Sequence, residues 1–160
     1  MKERCSIRSQ SSDDFEFLHK LYQSTIEREL SLLPFSEEQK IKFVEMQFNA
    51  QNRSCLENFA DGEFFIIEYE NKPIGRIYRA MADGILHIID ISILPEWRNL
   101  GIGSSLIVQS QDLAESRNVP LRLSVEKLNP AQHLYARLGF ELIQEQAVFN
   151  VLEWRKDVFS

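Results

Sequence analysis

The chain has 160 residues, 44% of them hydrophobic, and this length and composition predict one domain over residues 1–160 with its own core. Its 24 acidic and 18 basic residues give a net charge of −6, which argues against a general nucleic-acid binder because such proteins need a surplus of Lys and Arg. The longest apolar run, residues 64–67, is too short to span a membrane, and two cysteines without an apolar leader indicate a cytoplasmic protein.

The first third of the chain is predicted to be mostly helical after a short strand over residues 4–9. Asp13, with Glu16 three residues later, has the spacing of a capping box that begins a first helix, and Ser36 with Gln39 begins a second. Apolar residues then recur at helical spacing. These positions are Phe15, Leu18, Leu21, Tyr22, Ile26 and Leu30, and then Ile41, Val44, Phe48 and Cys55.

An antiparallel meander of three strands is predicted next, over residues 64–69, 74–81 and 85–94. Asp83-Gly84, between the second and third strands, is the strongest hairpin signal in the chain. Strict alternation along the third strand predicts two faces. One carries His87, Ile89, Ile91 and Ile93, and the other carries Asp90 and Ser92.

The remaining chain alternates between helices and strands. We predict a helix over 103–117, a strand over 121–125, a helix that begins at Asn129-Pro130, and a closing hairpin over 140–154. The fold class is therefore α/β: a central mixed sheet of about six or seven strands flanked by helices. In it, an antiparallel meander is followed by a parallel β-α-β passage.

The segment RNLGIGSS, residues 98–105, lies between a strand and a helix and is predicted to bind an anion. Gly101 and Gly103 allow a tight turn and a close approach of the backbone to a ligand, because neither has a Cβ. The first N–H groups of the following helix are unpaired and the helix dipole adds positive charge, so a phosphate or pyrophosphate is the natural occupant. Arg98 adds either a charge-assisted contact to that anion or a structural one.

Three interpretations of this glycine loop compete. A dinucleotide-binding fingerprint needs a third glycine, but Leu106 stands at that place, and a nucleoside-triphosphate loop needs a lysine that the segment lacks. The third interpretation is a plain glycine-rich turn that binds nothing.

Two segments of the second half carry motifs in a consistent order. The first is ISILPEWRNLGIG, residues 91–103, and about thirty residues later comes NPAQHLYARLGF, residues 129–140. They resemble the Arg/Gln-x-x-Gly-x-Gly/Ala and Asn-x-Ala-x-x-Leu-Tyr-x-x-x-Gly-Phe motifs of the GNAT superfamily of acyl-CoA-dependent N-acyltransferases. The predicted order of elements fits this family over residues 4–154. RELSLLP, residues 28–34, resembles, less closely, a group of small bacterial members.

The resemblance implies that the chain binds acetyl-CoA without a metal. In the family, backbone N–H groups of the loop hold the coenzyme pyrophosphate, and the preceding strand pairs its backbone with the pantetheine arm. Asn129 lies where the family has a polar residue that contacts the coenzyme, and Tyr135 lies where it has the tyrosine beside the thioester sulfur. The implied coenzyme-binding residues are Ile91, Ser92, Ile93, Arg98, Asn99, Leu100, Gly101, Ile102, Gly103, Ser104, Ser105, Asn129 and Tyr135.

The resemblance also implies that a neutral amine attacks the thioester directly in a ternary complex. Tyr135 is the candidate proton donor, a role that typically contributes roughly 10²–10⁴-fold. The base stays open among three residues. His87 stands near the place where several members carry a glutamate, Asp90 would act through water, and Glu126 follows the next strand.

Three functions remain to be separated. The first is an N-acetyltransferase for a primary amine, either a small molecule or a peptide or protein amine. The second is a non-catalytic coenzyme A-binding sensor or interaction module, and the third is a scaffold whose glycine turn binds nothing. Intact loop glycines together with Tyr135 favour the enzyme. The net charge of −6 suits a cationic acceptor and equally suits solubility, and a homodimer stays open.

Overall fold

The structure is a computed structural model that describes residues 4–59 and 61–156. Seven strands form one sheet, and four helices flank it. The helices are α1 (Phe15–Ser31), α2 (Glu37–Asn58), α3 (Ile102–Arg117) and α4 (Ala131–Arg137). The strands are β1 (Cys5–Ser9), β2 (Glu63–Tyr69), β3 (Lys72–Ala82), β4 (Ile85–Ile93), β5 (Leu121–Glu126), β6 (Glu141–Glu145) and β7 (Phe149–Trp154).

The strand order in the sheet is β1-β2-β3-β4-β5-β7-β6. Every neighbouring pair is antiparallel except β4 and β5, which are parallel and are connected through α3. The predicted α/β fold class, with a meander followed by a parallel β-α-β passage, is confirmed. Within the described residues, no helix combines the length and the apolar character that a membrane span needs.

The sheet opens between its two parallel strands. β4 and β5 pair only through Leu86 with Leu121 and His87 with Arg122, near the beginning of each strand. Beyond these pairs β5 continues to pair with β7 along its length, while the facing edge of β4 has no strand partner among the described residues. Unpaired backbone N–H and C=O groups therefore border a gap in the middle of the sheet.

A β-bulge in β4 changes which residues share a face. The register with β3 shifts by one residue, so Ile89 has no direct partner. Leu86 and Ile91 consequently belong to the same core under α3, and Ile93 packs in the neighbouring core cluster. The predicted alternation is wrong in one respect: His87 does not share a face with Ile91 and Ile93, because the extra residue reverses the alternation between them.

The start of α1 also differs from the prediction. Asp13 does not cap the helix, because the Ser11 hydroxyl accepts a hydrogen bond from the Asp13 N–H at 3.3 Å and begins a short 3-10 turn instead. The Asp14 carboxylate accepts the Ser11 N–H at 2.8 Å. Arg8 of β1 forms an ion pair with the same carboxylate at 2.7 Å. This contact with the sheet fixes Asp14, rather than Asp13, at the start of the helix.

The second helix begins as predicted. The Ser36 hydroxyl accepts the Gln39 N–H at 3.2 Å, and the Gln39 side chain accepts the Ser36 N–H at 2.9 Å. Half of the ten predicted apolar positions of α1 and α2 are buried, three are half-buried, and Phe15 and Ile41 are exposed. The buried ones are Leu18, Leu21, Leu30, Val44 and Phe48.

Candidate functional site

The gap between β4 and β5 is part of a cleft of about 1080 Å³. Its walls come from α1, α2, the end of β4, the loop before α3, the end of β5 and the start of α4. Of the residues that the sequence singled out, the cleft brings together Asp90, Ile91, Ser92, Ile93, Arg98, Asn99, Ser104, Glu126 and Asn129. Residues from the end of β4, the glycine loop and the segment after β5 therefore lie around one cleft.

The glycine loop turns through two residues with left-handed backbone conformation, Asn99 (φ 62°) and Gly101 (φ 82°). Gly101 is required by this conformation, which L residues rarely adopt. A Cβ on Gly101 would meet no atom within 4 Å, so the outer side of the turn is open to a ligand. A Cβ on Gly103 would lie 3.7 Å from Cδ1 of Ile93, so this glycine faces the end of β4.

The first turn of α3 presents free backbone donors. The earliest helical hydrogen bond runs from the Ser105 N–H to the Gly101 carbonyl at 3.0 Å. No acceptor in the described part of the chain takes the N–H groups of residues 102–104. The first turn also contains no acidic side chain, so nothing of the helix itself competes for these donors. The arrangement suits an anion.

Arg98 connects the loop to the end of β4. Its Nε donates a hydrogen bond to the Ile93 carbonyl at 2.8 Å, which is the structural contact that the sequence left open. The same side chain borders the cleft. Arg98 therefore positions the loop and contributes positive charge beside the free N–H groups of α3.

The rest of the loop forms the turn without lining the cleft. Ile102 is buried in the core against β2 and β3, and Ser105 faces a separate cavity toward β1. Leu100 is partly exposed. Side chains at these positions are therefore placed for packing, and any contact from them to a ligand in the cleft would come from the backbone.

Asp90 is held in a polar cluster on the face of β4 opposite α3. Its Oδ2 accepts hydrogen bonds from Arg76 Nε at 2.6 Å and from the Ser92 hydroxyl at 3.0 Å. Arg76, whose side chain is only 3% exposed, also donates to Gln51 of α2 at 2.9 Å. Burial lowers the pKa of Arg76, but the Asp90 carboxylate more than offsets this, so the pKa lies above its usual value.

The second carboxylate oxygen of Asp90 remains available. Oδ1 accepts no hydrogen bond from the part of the chain that the structure describes, and the side chain borders the cleft. Arg76 and Ser92 therefore occupy only one of the two carboxylate oxygens. The other oxygen can accept a proton or a hydrogen bond from a ligand.

Tyr135 lies in the core under α3 and is only 9% exposed. Its side chain does not line the cleft, although its neighbour Leu134 does. Its ring packs edge-on against Phe140, with 5.7 Å between the ring centroids. Burial raises the pKa of Tyr135, and the negative charge of Asp90 raises it further. Its hydroxyl accepts or donates no hydrogen bond within the described residues, so its proton is not committed to another side chain.

The structure does not bring His87 to the cleft. It lies near the β3–β4 turn, three residues before Asp90, a distance of about 10 Å along an extended strand. Burial lowers the pKa of His87, and the nearby Arg122 lowers it further, while a hydrogen bond involving the Ala82 backbone raises it. These contacts favour a neutral structural histidine over a base for the cleft.

Asn129 and Glu126 border the opposite side of the cleft. The Asn129 side-chain oxygen accepts the Ala131 N–H at 2.9 Å and so satisfies one donor at the start of α4. The helix itself begins one residue later than predicted, with Pro130 rather than Asn129 at its N-cap. Glu126 ends β5 next to it. Both residues therefore line the side of the cleft that is formed by β5 and α4.

Sequence reasoning missed the wall that α1 and α2 provide. Tyr22 and Ile26 look like core positions in the helical pattern, and only packing against the sheet shows that they border the cleft. Arg76 was also missed, although a charged residue between the apolar residues Ile74 and Ile77 of a predicted strand was a signal that could have found it. The missed residues of this wall are Tyr22, Thr25, Ile26, Glu29 and Gln51.

The sequence matches a model of the acetyltransferase (GNAT) family over residues 19–140, which is 122 of its 160 residues. No curated protein matches it significantly. Among the described residues, no group of three His, Cys, Asp or Glu side chains could hold a metal ion.

Solved structures of the same fold include a PaiA N-acetyltransferase from Thermoplasma acidophilum in complex with coenzyme A, with a TM-score of 0.72 and 17% identity. The match covers 94% of this chain and 98% of that one. A GNAT family acetyltransferase from Elizabethkingia anophelis with acetyl-CoA bound has a TM-score of 0.59 and 16% identity, with 96% and 99% covered. A Pyrococcus horikoshii protein has a TM-score of 0.73 and 18% identity, with 96% and 99% covered. At these identities the likeness concerns the fold.

Proposed function

The chain belongs to the GNAT acetyltransferase family, and from this premise we propose that it transfers an acetyl group from acetyl-CoA to a primary amine within the cleft. We propose further that residues 1–160 act as one catalytic domain in the cytoplasm. The observation that carries the proposal is the gap between β4 and β5, which ends beside the free N-terminus of α3.

The residues around the gap fit the two chemically distinct parts of coenzyme A. The pyrophosphate suits the N–H groups of residues 102–104, the open side of Gly101 and the charge of Arg98. The pantetheine arm contains amide groups, which suit the unpaired edge of β4 at residues 91–93. Two solved structures of this fold hold coenzyme A or acetyl-CoA, which supports the choice of coenzyme.

Acetyl-CoA, when bound, supplies a thioester whose thiolate is a tolerable leaving group because an ordinary thiol has a pKa of about 8.5. Tyr135 holds a proton at neutral pH, because burial and Asp90 both raise its pKa. It is therefore our candidate donor to the departing sulfur. A backbone N–H of residues 91–93 on the open edge of β4 is placed to polarise the carbonyl oxygen.

Asp90 is our candidate for removing the proton of the incoming ammonium group, directly or through water. Arg76 and Ser92 hold one of its oxygens, and the other is free on the cleft side. Glu126 at the end of β5 is the alternative. We favour these two carboxylates over His87, which lies near the β3–β4 turn and not on the cleft.

Calorimetric titration of the protein with acetyl-CoA, with NAD and ATP as controls, tests the first step. Selective micromolar binding is expected. A screen of primary amines for release of free thiol then tests turnover. Binding without thiol release from any amine would favour the non-catalytic module, and no binding by the folded protein would leave the glycine loop as a turn only.

A further inference from the structure

A second cavity, of about 290 Å³, opens between the C-terminal half of α1 and the first half of α2. It adjoins the cleft, since Tyr22, Ile26 and Glu29 line both cavities. We call it the α1–α2 groove. Its remaining lining residues are Leu30, Leu33, Phe43 and Gln47.

The α1–α2 groove has apolar walls. Leu30 is buried, and Ile26, Leu33 and Phe43 are half-buried along its length. Apolar walls offer water few hydrogen bonds, so an alkyl or aryl group that displaces water is the favoured occupant. The volume lies at the lower end of small-molecule pockets, roughly 300–1,000 Å³, so the groove accommodates one arm of a molecule whose remainder lies in the cleft.

A carboxylate stands at the junction of the two cavities. Glu29 is exposed and forms no ion pair within the described residues. Asp90 lies further into the cleft, with its Oδ1 free. Cationic side chains also line the cleft, but Arg98 belongs to the anion-binding loop and Arg137 to α4, on the side of the coenzyme. A protonated amine is therefore attracted toward the wall formed by α1 and β4.

These observations concern one ligand with two chemical ends, and on the basis of the proposed function we infer that the acceptor is a small primary amine with an unbranched alkyl or arylalkyl arm. The arm occupies the α1–α2 groove. The ammonium group meets Glu29 at the junction and passes toward Asp90, where it loses its proton before attack on the thioester.

A homologous series of amines tests the inference. Propylamine, butylamine, pentylamine, hexylamine and phenethylamine are compared with ethanolamine and 6-amino-1-hexanol by thiol release at saturating acetyl-CoA. We expect kcat/KM to rise about fourfold for each methylene that the groove buries, until its length is filled. The hydroxyl-ended amine should lose most of this gain, because its hydroxyl would be buried without a partner.

Two pairs of variants locate the effect. Leu33→Asn places an amide in the groove and should remove most of the dependence on chain length, while Leu32→Asn, at the adjacent residue with 79% exposure, should keep it. Glu29→Gln should raise KM for every amine about tenfold, while Glu27→Gln, exposed on the same helix and outside both cavities, should not. Acetyl-CoA affinity, which should be unchanged in all four, serves as the test of correct folding.

Failure of this inference is distinguishable from failure of the proposed function. If ethanolamine or a peptide amine is acetylated as well as hexylamine, with no rise along the series, the inference is wrong and the acetyltransferase stands. If no amine releases thiol from a protein that binds acetyl-CoA, the proposed function fails and the inference fails with it. Calorimetry with hexylamine in the presence of coenzyme A adds a readout without turnover, in which Leu33→Asn should weaken binding and Leu32→Asn should not.

Discussion

Tyr135 keeps its proton at neutral pH because both burial and a nearby negative charge raise its pKa. Burial disfavours the phenolate, and the nearby charge of Asp90 disfavours it further, so the pKa of Tyr135 lies above its usual value of 10.0. The ring is held by Phe140 and the core under α3. A proton donor that stays protonated and fixed in place is what departure of a thiolate requires.

Tyr135→Phe should lower the rate of acetyl transfer by roughly 10²–10⁴-fold, the usual contribution of a proton donor. Coenzyme affinity should change little, because the ring and its packing remain. Single-turnover kinetics and calorimetry measure the two quantities separately. The raised pKa also predicts that the wild-type rate has no alkaline decline below about pH 10 from this residue. An unchanged chemical rate in the variant would remove Tyr135 from the donor role.

Two substitutions at Gly103 test how much side-chain volume the contact between the loop and β4 tolerates. A Cβ there would be in ordinary contact with Ile93, at 3.7 Å from Cδ1, so Gly103→Ala should bind acetyl-CoA within a few fold of wild type. Gly103→Val adds two branches at that contact and should displace the loop from the end of β4. We expect its affinity for acetyl-CoA to fall about 5- to 150-fold, which corresponds to overpacking costs of about 1–3 kcal/mol. If calorimetry gave Gly103→Val the same affinity for acetyl-CoA as wild type, the assignment of the glycine loop to coenzyme binding would be contradicted.

At the scale of elements, β3 and β4 are joined across the sheet by a charged pair as well as by their backbones. Arg76 Nε lies 2.6 Å from Asp90 Oδ2, diagonally across the two strands. The pair aligns Asp90 with the cleft and supplies a carboxylate partner for a buried guanidinium. Asp90 thus has a structural role in addition to its proposed chemical one, and the two can be measured apart.

Asp90→Asn should reduce activity and also lower the free energy of unfolding, by about 2–3 kcal/mol. This is less than the roughly 3–5 kcal/mol typical of fully buried pairs, because the Asp90 side chain is 27% exposed. The double variant Arg76→Met with Asp90→Leu should recover most of the stability without recovering activity, since no buried charge is left unpaired. Urea unfolding measures the first quantity and thiol release the second. If the double variant were less stable than Asp90→Asn alone, the charged pair would not be the source of the loss.

At the scale of the whole molecule, the divided sheet stays one unit because a shared core bridges its gap. Leu86 of β4, Leu123 of β5 and Tyr135 of α4 belong to one buried cluster beneath α3. The strands can therefore separate above this cluster without dividing the molecule. The proposed proton donor belongs to this same cluster.

The stability of the molecule should fall in acid in two stages. The pKa of His87 is lowered in the folded protein, mainly by burial, so unfolding is favoured as pH falls below the usual value of 6.5. The pKa of Asp14 is lowered by its hydrogen bond to Arg8, so its contribution is present above the usual value of 3.8 and is lost as pH falls through the folded pKa. Urea unfolding from pH 7.5 to pH 2.5 measures both stages.

Two variants assign the stages. His87→Gln should flatten the part of the decline that begins below about pH 6.5, and Asp14→Asn should flatten the decline below about pH 4 while lowering stability at neutral pH. Ser12 is exposed beside Asp14 and outside this network, so Ser12→Ala serves as a control that should change neither. A profile of Asp14→Asn parallel to wild type below pH 4 would contradict the role of the Arg8 pair.

Features that depend on a few consecutive residues could be predicted from the sequence. Asp83-Gly84 forms the predicted turn with φ of 55° and 73°, and Asn118 ends α3 with φ of 56°. Such turns and caps are determined by local backbone freedom and by hydrogen bonds to residues nearby in sequence. The order of elements and the glycine loop are local in the same sense, and they were enough for the fold class and the family.

The rest was decided by contacts between distant segments. The bulge that turns His87 away from Ile91 depends on the register between β3 and β4, and the gap depends on where β4 and β5 stop pairing. No pattern within a short stretch of sequence predicts either the bulge or the gap. The wall that carries Tyr22 and Glu29 exists only because α1 packs beside the gap. Residues of one helix or one strand were predictable because their spacing is regular, whereas a cleft built from six elements depends on how those elements pack together.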